Sequence, residues 1–458
     1  MLREAGDLPE QTDVLVLGAG IAGHCAALAA AEAGCRVLLL EKSAQPGGSS
    51  AMAGGAFAFS GTDLMIEAGH NEPLAAFRED LMKSGKGCNN PALVDLFLRH
   101  QLAAYNFLKA HGVRFELPDA TRMHRTGTGR AVTRLHLAAR ADERISFFSK
   151  CAALRLLRAA DGQRVDRAIV SFGDEARTVE ARKGIILATG GFSRSRELLA
   201  VFAPELLEAV KHGGVANTGD GLVMGASLGA GLADLGYVSG SFGGAIRNYP
   251  QGTQGPDDVP PLIFAYLSGA ILVNRNAVRF VNEGQSYKAL SQIGMQQPGG
   301  VAFQVFDHKL MSRTMLDSSV NNFEEGLIGG YIHSADNIAD LAAKVGLAPE
   351  PLEHTISRYN QDVANGTDRD FGRTNGLLKL DTPPYYIAAT RNALTSTYGG
   401  LTTDASMAVT DWNGEPIAGL FAAGEVVGGF HGAGYYSASS LSSSATFGMC
   451  AGLSAAAA

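Results

Sequence analysis

The sequence predicts an α/β protein with a Rossmann-like dinucleotide-binding domain and a second domain inserted into it. Near the N-terminus a short apolar strand, a glycine-rich turn, an alanine-rich helix and another strand follow one another within about 30 residues. Residues 236–396 change in texture, with polar helical patterns and a Pro383-Pro384 break, before strands and glycine turns return in the last 60 residues. We therefore predict a dinucleotide-binding domain over 1–235 and 397–458, interrupted by a domain over 236–396.

Within the first domain, residues 14–17 predict a parallel strand buried on both faces, because the run is apolar throughout. A helix is predicted over 22–33 and ends at Gly34, and a second strand over 36–40 ends at Glu41. Alternating residues over 147–179 predict a hairpin, followed by a strand over 184–189. Polar helices are predicted over 337–345 and 349–365, and a last strand over 419–425. No repeat or heptad pattern is present.

Composition excludes several functional classes. The 458 residues are 46% hydrophobic and 18% charged, so long disordered tracts are not expected. The net charge of −7 argues against nucleic acid or an anionic membrane as the main partner. Five scattered cysteines without CxxC spacing favour a reducing cytoplasm, and the histidines lack metal-ligand spacing, so no metal site is expected. Residues 1–7 contain no apolar run, so we expect no signal peptide. The most apolar long stretch, 21–40, carries His24, Glu32 and Arg36 and breaks at Gly34, so we expect no transmembrane segment.

The glycine-rich turn is Gly18-Ala19-Gly20-Ile21-Ala22-Gly23, a G-x-G-x-x-G between strand and helix. These glycines permit a tight turn and a close approach of backbone to a pyrophosphate, which the helix N-terminus then stabilises. Glu41 ends the next strand, where a carboxylate accepts hydrogen bonds from a ribose diol. The glycine- and serine-rich loop over 42–55 suits a longer ligand, and no second such motif offers a nicotinamide site. FAD is therefore the predicted cofactor.

Through these residues and further motifs, the chain resembles the fumarate reductase/succinate dehydrogenase flavoprotein superfamily over nearly its whole length. The matching segments are 18–55, Ala188-Thr189-Gly190-Gly191-Phe192, Asn217-Thr218-Gly219-Asp220-Gly221, Arg279-Phe280-Val281-Asn282-Glu283, Tyr398-Gly399-Gly400 and 419–432. The resemblance implies a Rossmann-like FAD domain of the two-dinucleotide-binding type, an inserted α+β capping domain, and an active site between them. A histidine that carries covalent flavin in membrane-bound relatives is replaced by Gly48, so the resemblance implies noncovalent FAD.

The glycine motif and the resemblance together predict a set of FAD-binding residues. They are Gly18, Gly20, Ala22, Gly23, Glu41, Lys42, Gly48, Ser49, Ser50, Gly54, Gly55, Ala152, Ala188, Gly190, Asp220, Gly424, Glu425, Ser440 and Leu441.

Three positions depart from the dicarboxylate reductases of the superfamily, which hold substrate with arginines and histidines. Tyr287 and its neighbours follow the Asn-Glu pair without an arginine, Ser396 stands in place of a histidine, and 431–437 contains no arginine. A desolvated dicarboxylate needs such cations. Fumarate and succinate are therefore not the expected substrates.

What replaces these residues is similar to the 3-ketosteroid dehydrogenase branch, which has a tyrosine soon after Asn-Glu and a Y-x-S-G-x-S-L stretch. The resemblance implies Tyr287, Tyr435, Tyr436 and Ser437 as catalytic candidates, with Tyr435 and Tyr436 competing for the carbonyl side. Packing against flavin, or at a domain interface for Tyr287, is the alternative for these tyrosines. A segment from Arg122 to Arg125 resembles one near the flavin in relatives, but a solvated basic turn explains it equally well.

The residues fit a dehydrogenase that desaturates the bond next to a ketone. A phenol hydroxyl on the carbonyl oxygen stabilises the enolate, and Tyr287 is the candidate base for the α proton, with hydride transfer to flavin N5. A tyrosine is a poor base at neutral pH unless neighbours favour its phenolate. The expected substrate is a neutral 3-ketosteroid or smaller alicyclic ketone, and the electron acceptor (oxygen, quinone or a carrier) is open. An ene-reductase with an external electron donor and a flavin-binding protein without turnover are the alternatives.

Overall fold

A computed structural model describes residues 7–118, 122–255, 257–316, 318 and 320–458. The prediction of no signal peptide concerns residues 1–7, of which 1–6 lie outside the described range. The strands are β1 Gln11–Leu17, β2 Val37–Leu40, β3 Ala56–Ala58, β4 Met123–Arg125, β5 Ile145–Phe148, β6 Ala153–Arg158, β7 Val165–Phe172, β8 Glu175–Leu187, β9 Val210–Lys211, β10 Leu232–Ala233, β11 Val238–Ala245, β12 Ile271–Val273, β13 Ala302–Asp307, β14 His333–Ala335, β15 Tyr385–Thr397, β16 Gly400–Leu401, β17 Ala408–Thr410 and β18 Pro416–Ala422. The helices are α1 Ile21–Glu32, α2 Gly48–Met52, α3 Asp63–Glu67, α4 Leu74–Ser84, α5 Pro91–Ala110, α6 Arg130–Ala141, α7 Arg196–Phe202, α8 Asp220–Ser227, α9 Ala265–Ser268, α10 Tyr287–Met295, α11 His308–Met311, α12 Phe323–Ile328, α13 Ile338–Lys344, α14 Pro349–Ala364 and α15 Ser439–Ala457.

The described residues form two compact units. Unit 1 comprises Met1–Pro204, Gly213–Ser239 and Ser396–Ala458, and unit 2 comprises Glu205–His212 and Gly240–Thr395. Their assignment as an FAD-binding and a capping domain stays a prediction. No helix in the described ranges is long and apolar enough to cross a membrane.

Unit 1 is built on a sheet with strand order β17-β18-β8-β1-β2-β5, and β6 and β7 extend it as a meander with β8. β1 pairs in parallel with β2 and β8, with Val14 opposite Val37 and Gly184. The apolar strands are buried as predicted, and the α/β class is confirmed. The hairpin prediction is also confirmed, since β6, β7 and β8 pair antiparallel in sequence.

The strands expected in the last 60 residues are present as β16, β17 and β18, but the end of the chain differs from the expectation. After β18 the chain forms α15, a 19-residue helix rich in Ser, Ala and Gly. It packs against α1 at backbone distance, because a Cβ on Gly448 or Gly452 would lie 2.3 Å from the carbonyl oxygens of Ala22 and Ala26. Small residues in both helices permit this contact. The contact between α15 and α1 depends on tertiary packing, so no local sequence pattern predicts it.

Unit 2 contains a sheet with order β11-β15-β13-β12, and β14 and β9 also pair with β15. β13 pairs antiparallel with β12 and β15. Apolar residues of β12, β13 and β15 form one core with α13 and α14, in which Phe303, Leu341, Leu352 and Tyr359 are buried. The two polar helices predicted over 337–345 and 349–365 are confirmed as α13 and α14.

Candidate functional site

The predicted FAD-binding loops of unit 1 follow neighbouring parallel strands. The glycine turn follows β1, Glu41 follows β2, Ala188 and Gly190 follow β8, and Gly424 follows β18. Because these strands are parallel, their carboxyl ends meet at one edge of the sheet. This edge is where open α/β sheets bind ligands.

Close packing explains two glycines of the turn. A Cβ on Gly18 would lie 2.3 Å from the Ala188 carbonyl oxygen, and one on Gly23 would lie 1.8 Å from the Gly18 carbonyl oxygen. Gly20 caps the N-terminus of α1, and the Ile21 N–H donates to Ser50 Oγ at 3.2 Å. The turn thus brings α1 directly onto β1 with its N-terminus at the sheet edge, where an anion is favoured.

Glu41 is buried at this edge with both carboxylate oxygens engaged. Ala19 N donates to Oε2 at 3.0 Å and Ser43 N to Oε1 at 2.8 Å. Lys42, by contrast, is paired with Asp220, whose Oδ2 lies 2.7 Å from Nζ. Lys42 and Asp220, both predicted to bind FAD, therefore neutralise each other.

Glu425 joins three further segments of unit 1. Its carboxylate accepts hydrogen bonds from Thr397 N at 3.0 Å and Asn217 Nδ2 at 2.9 Å. Asn217 also donates to Ser49 Oγ at 2.9 Å. Burial raises the pKa of Glu425, although these donors act in the opposite direction. Neither Asn217 nor Thr397 is among the residues predicted from the sequence, although Asn217 lies in the Asn-Thr-Gly-Asp-Gly motif that supports the resemblance.

The remaining predicted cofactor residues occupy loops and helix starts of unit 1. Ala152 lies beside Glu41, since Cys151 N donates to the Glu41 carbonyl oxygen at 2.9 Å. A Cβ on Gly424 would lie 2.9 Å from Ala22 Cβ, so these two are also brought together. Gly48, Ser49 and Ser50 lie in α2, Gly54 and Gly55 precede β3, and Ser440 and Leu441 lie in the first turn of α15. Their contacts with FAD stay a prediction.

The adjacent tyrosines Tyr435 and Tyr436 have different surroundings. The Tyr435 ring stacks on Tyr398 at 6.2 Å between centroids and meets the His431 ring edge-on at 5.6 Å. The Tyr436 hydroxyl accepts a hydrogen bond from Arg122 Nη1 at 3.0 Å. Ser437 is exposed.

Arg122 is buried, so the solvated basic turn considered for its segment is wrong at this residue. Its guanidinium is 2.6 Å from both Glu72 and Asp80 and lies over the Phe77 ring at 4.8 Å. Burial alone would lower the pKa of Arg122, yet hydrogen bonds to Asp80 and Tyr436 hold it above its usual value. Two carboxylates therefore balance this cation.

In unit 2, Tyr287 is the first residue of α10. Ser286 caps the helix, its side chain accepting a hydrogen bond from Ala289 N. The half-buried Tyr287 ring stacks on Phe264 with centroids 6.0 Å apart and an interplanar angle of 19°. The phenol is therefore held at the positive end of a short helix.

A buried ion network precedes α10. Arg279 donates to Glu283 at 2.9 and 2.7 Å and to Asp368 at 2.9 Å, and Arg373 adds a contact to Glu283 at 3.4 Å. Burial acts to raise the pKa of Asp368, but the Arg279 hydrogen bonds hold it below its usual value. The network explains the Arg-Phe-Val-Asn-Glu motif structurally and anchors the chain just before Tyr287.

Comparisons with known proteins identify the family of this chain. The family described as "FAD binding domain" matches residues 13–441. The probable fumarate reductase Ifc3 of Shewanella frigidimarina (strain NCIMB 400) is 30% identical over 460 residues, covering 98% of this chain and 75% of the relative. The chain is a flavoprotein of the fumarate reductase/succinate dehydrogenase superfamily. The flavoprotein uses FAD and is an oxidoreductase.

Other proteins similar to the flavoprotein differ in named activity. The 4-oxocyclohexanecarboxylate 2-dehydrogenase of Sinomonas cyclohexanicum is 27% identical, covering 92% of this chain and 89% of the relative. An open flavocytochrome c3 fumarate reductase structure matches with a TM-score of 0.85 at 28% identity, covering 98% and 79%. The 3-ketosteroid-Δ4-(5α)-dehydrogenase from Rhodococcus jostii RHA1, solved with 4-androstene-3,17-dione, has a TM-score of 0.71 at 24% identity, covering 98% of both chains. The last match shows the shared fold alone.

The flavoprotein's own residues fit FAD. The N-terminus of α1 and the glycine turn offer backbone N–H groups for a pyrophosphate. Glu41 lies at the end of β2, where an adenosine ribose is bound in this fold.

We expect Arg279→Met to destabilise unit 2 by about 3–5 kcal/mol, because it leaves the buried Asp368 without its cation and Glu283 with only the longer contact to Arg373. Arg358→Met, which breaks an exposed pair with Asp370, is the control and should have little effect. The contribution of Asp368 is present above the ordinary aspartate pKa of about 4 and is lost as the pH falls through its lowered value. Urea unfolding at two pH values measures both, and equal losses for the two variants would contradict the expectation.

Proposed function

We propose that the flavoprotein desaturates the carbon–carbon bond next to a ketone in a neutral 3-ketosteroid or smaller alicyclic ketone. The observation that carries the proposal is the uncharged character of the positions where dicarboxylate reductases of the superfamily hold substrate. Tyr287, Ser396 and Tyr435 stand there. Arg122, a cation in unit 1, is balanced by Glu72 and Asp80 and so does not offer a free charge. The similarity to a dehydrogenase of a cyclic oxo compound supports the same substrate class.

In this proposal the chain's own residues handle the proton and the carbonyl. Tyr435 donates a hydrogen bond to the ketone oxygen and stabilises negative charge as the enolate develops. Tyr287, as phenolate, takes the proton from the α carbon and becomes a neutral phenol. Bound FAD supplies the two-electron acceptor for the hydride that leaves the β carbon. The substrate thus loses one proton and one hydride and becomes an enone, and an external acceptor (oxygen, a quinone or a carrier) must later remove the two electrons.

The surroundings of the two adjacent tyrosines favour Tyr435 for the carbonyl. Tyr436 already accepts a hydrogen bond from Arg122 and packs on Phe77, so we assign it a structural role. Unit 2, which carries Tyr287, is the proposed capping domain. FAD is proposed to be noncovalent, because Gly48 offers no side chain for a linkage.

We expect Tyr435→Phe to slow anaerobic flavin reduction by a ketone about 10²–10³-fold, the usual effect of removing one oxyanion donor. Tyr436→Phe should cost about tenfold at most, because it removes one hydrogen bond from Arg122 and keeps the ring on Phe77. Stopped-flow absorbance of the flavin measures both rates. If Tyr436→Phe slowed flavin reduction more than Tyr435→Phe, the carbonyl hydrogen bond would be assigned to Tyr436 and the structural role to Tyr435.

The proposal is tested by anaerobic mixing of the FAD-loaded protein with a saturated 3-ketosteroid, with cyclohexanone and with succinate. Bleaching of the yellow flavin by a ketone and not by succinate is the expected result. Bleaching by succinate alone, or by none of the three, would overturn the proposal.

A second candidate is the reverse reaction, reduction of an enone or unsaturated acid with electrons from a partner. It is favoured by the 30% identity to a probable fumarate reductase. To distinguish it, the flavin is first reduced with dithionite and then mixed with an enone or with fumarate. Rapid reoxidation by the enone, together with no bleaching by the saturated ketone, would favour the reductase.

A further inference from the structure

His24 is a buried titratable residue in the first turn of α1, directly after the glycine turn. Its side chain is fully buried, and its Nδ1 lies 2.8 Å from the Gly20 carbonyl oxygen. Its Nε2 lies 3.1 Å from Nδ1 of His136, a half-buried residue of α6, and the two rings meet edge-on with centroids 5.4 Å apart. The His136 ring also packs edge-on against Phe147 at 4.7 Å. The two histidines thus form a hydrogen-bonded chain from α6 to the turn where we predict that the FAD pyrophosphate binds.

The partners of the two rings determine which of their nitrogens carry protons. A carbonyl oxygen only accepts hydrogen bonds, so His24 Nδ1 must donate to Gly20. A neutral His24 then has a bare Nε2, and His136 Nδ1 must donate to it. His136 Nε2 is therefore the one nitrogen of the pair that can take up a proton without breaking either hydrogen bond. In its observed geometry the pair can bind one additional proton and not two.

The chain of hydrogen bonds ends on a peptide group of the predicted pyrophosphate site. The Gly20 carbonyl oxygen accepts from the His24 ring and also from the His24 backbone N–H, at 3.1 Å. The N–H of the same peptide group is that of Ile21, which donates to Ser50, itself a predicted FAD-binding residue. Polarising the carbonyl strengthens this N–H as a donor, because hydrogen bonds in a chain reinforce one another. A positive charge on His136 therefore makes the N-terminus of α1 a better site for an anion.

The surroundings of the pair oppose a charge on it, whereas a bound pyrophosphate would favour one. Burial lowers the pKa of His24 to about 4, and it also lowers the pKa of His136, on which Arg140 of α6 acts in the same direction. The Glu41 carboxylate at the end of β2 is held by the Ala19 and Ser43 N–H groups. The other ionisable residues on the elements packed against α1 and α6 are exposed arginines, buried thiols or groups away from the glycine turn, namely Arg130, Arg134, Cys25, Cys450, Glu32, Asp13 and those within 175–183. A negatively charged ligand beside the turn therefore raises the pKa of the pair.

We propose that the His24–His136 pair is a one-proton site that positions the glycine turn and couples FAD binding to pH. FAD binding increases the affinity of the pair for a proton, and by linkage proton uptake increases the affinity for FAD by the same factor. The affinity for FAD is therefore lowest at alkaline pH, where the pair is neutral with and without FAD, and it rises as the pH falls through the histidine range. The inference concerns cofactor binding, and it does not depend on which substrate the flavoprotein acts on.

The decisive measurement is the dissociation constant of FAD as a function of pH. The FAD-loaded protein is dialysed against fixed concentrations of free FAD across the histidine range, and bound FAD is measured by its visible absorbance. We expect the wild-type Kd to fall about tenfold between about pH 7.5 and 5.5, which corresponds to a rise of about one unit in the pKa of the pair on binding. His136→Asn keeps a side-chain N–H close to the position of Nδ1 but has no titratable ring. This variant should bind FAD as wild type does at the alkaline end, with a Kd that does not change with pH.

The matched control is His111→Asn, which removes another histidine that contacts α1, at the opposite end of the helix, where its Nε2 lies 3.3 Å from Glu32. This variant should keep the pH dependence of wild type. A wild-type Kd that does not change with pH, or a His111→Asn variant that loses the pH dependence, would overturn the inference. So would a His136→Asn variant that keeps the wild-type slope, because even a uniformly weakened affinity would then reflect a purely structural role.

A second measurement needs no variant, so it tests the inference even if His136→Asn does not fold. The FAD-loaded wild-type protein is diluted near pH 6 into a weakly buffered solution that contains a pH indicator dye, until FAD dissociates. Each dissociated FAD should release about half a proton, because the pair loses the proton affinity that bound FAD confers. Dissociation without proton release, or with proton uptake, would overturn the inference.

Discussion

Tyr287→Phe should slow anaerobic flavin reduction by a saturated cyclic ketone about 10²–10⁴-fold, the range associated with losing a general base. The substitution keeps the ring, so stacking on Phe264 and the cap from Ser286 remain. The buried Arg279–Glu283 pair before α10 is also untouched. We therefore expect the variant to fold and to retain FAD, with a visible spectrum like that of wild type. Stopped-flow absorbance under anaerobic conditions gives the rate.

The control for this prediction is Tyr385→Phe, which removes a half-buried phenol elsewhere in unit 2. It should reduce at the wild-type rate. A Tyr287→Phe variant that is fully active would remove Tyr287 from the mechanism. A variant that loses both activity and FAD would indicate a structural role instead.

The first strand, helix and second strand could be predicted because their signals are local. The apolar runs, the glycine turn and Gly34 each act within a few residues, and the observed bounds differ by at most a few positions. Helix α15 could not be predicted in the same way. Its residues are small and weakly patterned, and its close packing depends on Gly448 and Gly452 meeting α1, more than 400 residues earlier in the chain.

The chemical character of the site could be predicted in part. At Tyr287, Ser396 and 431–437, the resemblance to the superfamily indicated a site without the cations of the dicarboxylate reductases, and this stays a prediction. The burial of Arg122 could not be predicted, because it depends on Glu72 and Asp80 folding back onto it. The different surroundings of Tyr435 and Tyr436 likewise depend on partners distant in sequence, Tyr398 and Arg122. Sequence motifs identify which residue types are present, whereas the partners of each side chain follow only from the packing.

Gly23→Val should lower FAD affinity by more than about a hundredfold. A Cβ at this position would lie 1.8 Å from the Gly18 carbonyl oxygen, a backbone atom that no side-chain rotation can move. The helix must therefore shift away from β1, which costs more than about 3 kcal/mol and displaces its N-terminus from the sheet edge. We propose that this N-terminus holds the FAD pyrophosphate, so the loss appears in binding. Gly236→Ala is the control, because the nearest atom to its Cβ is Phe202 O at 3.8 Å, an ordinary contact. FAD content after purification and titration of the apoprotein measure the effect, and full FAD occupancy in Gly23→Val would contradict it.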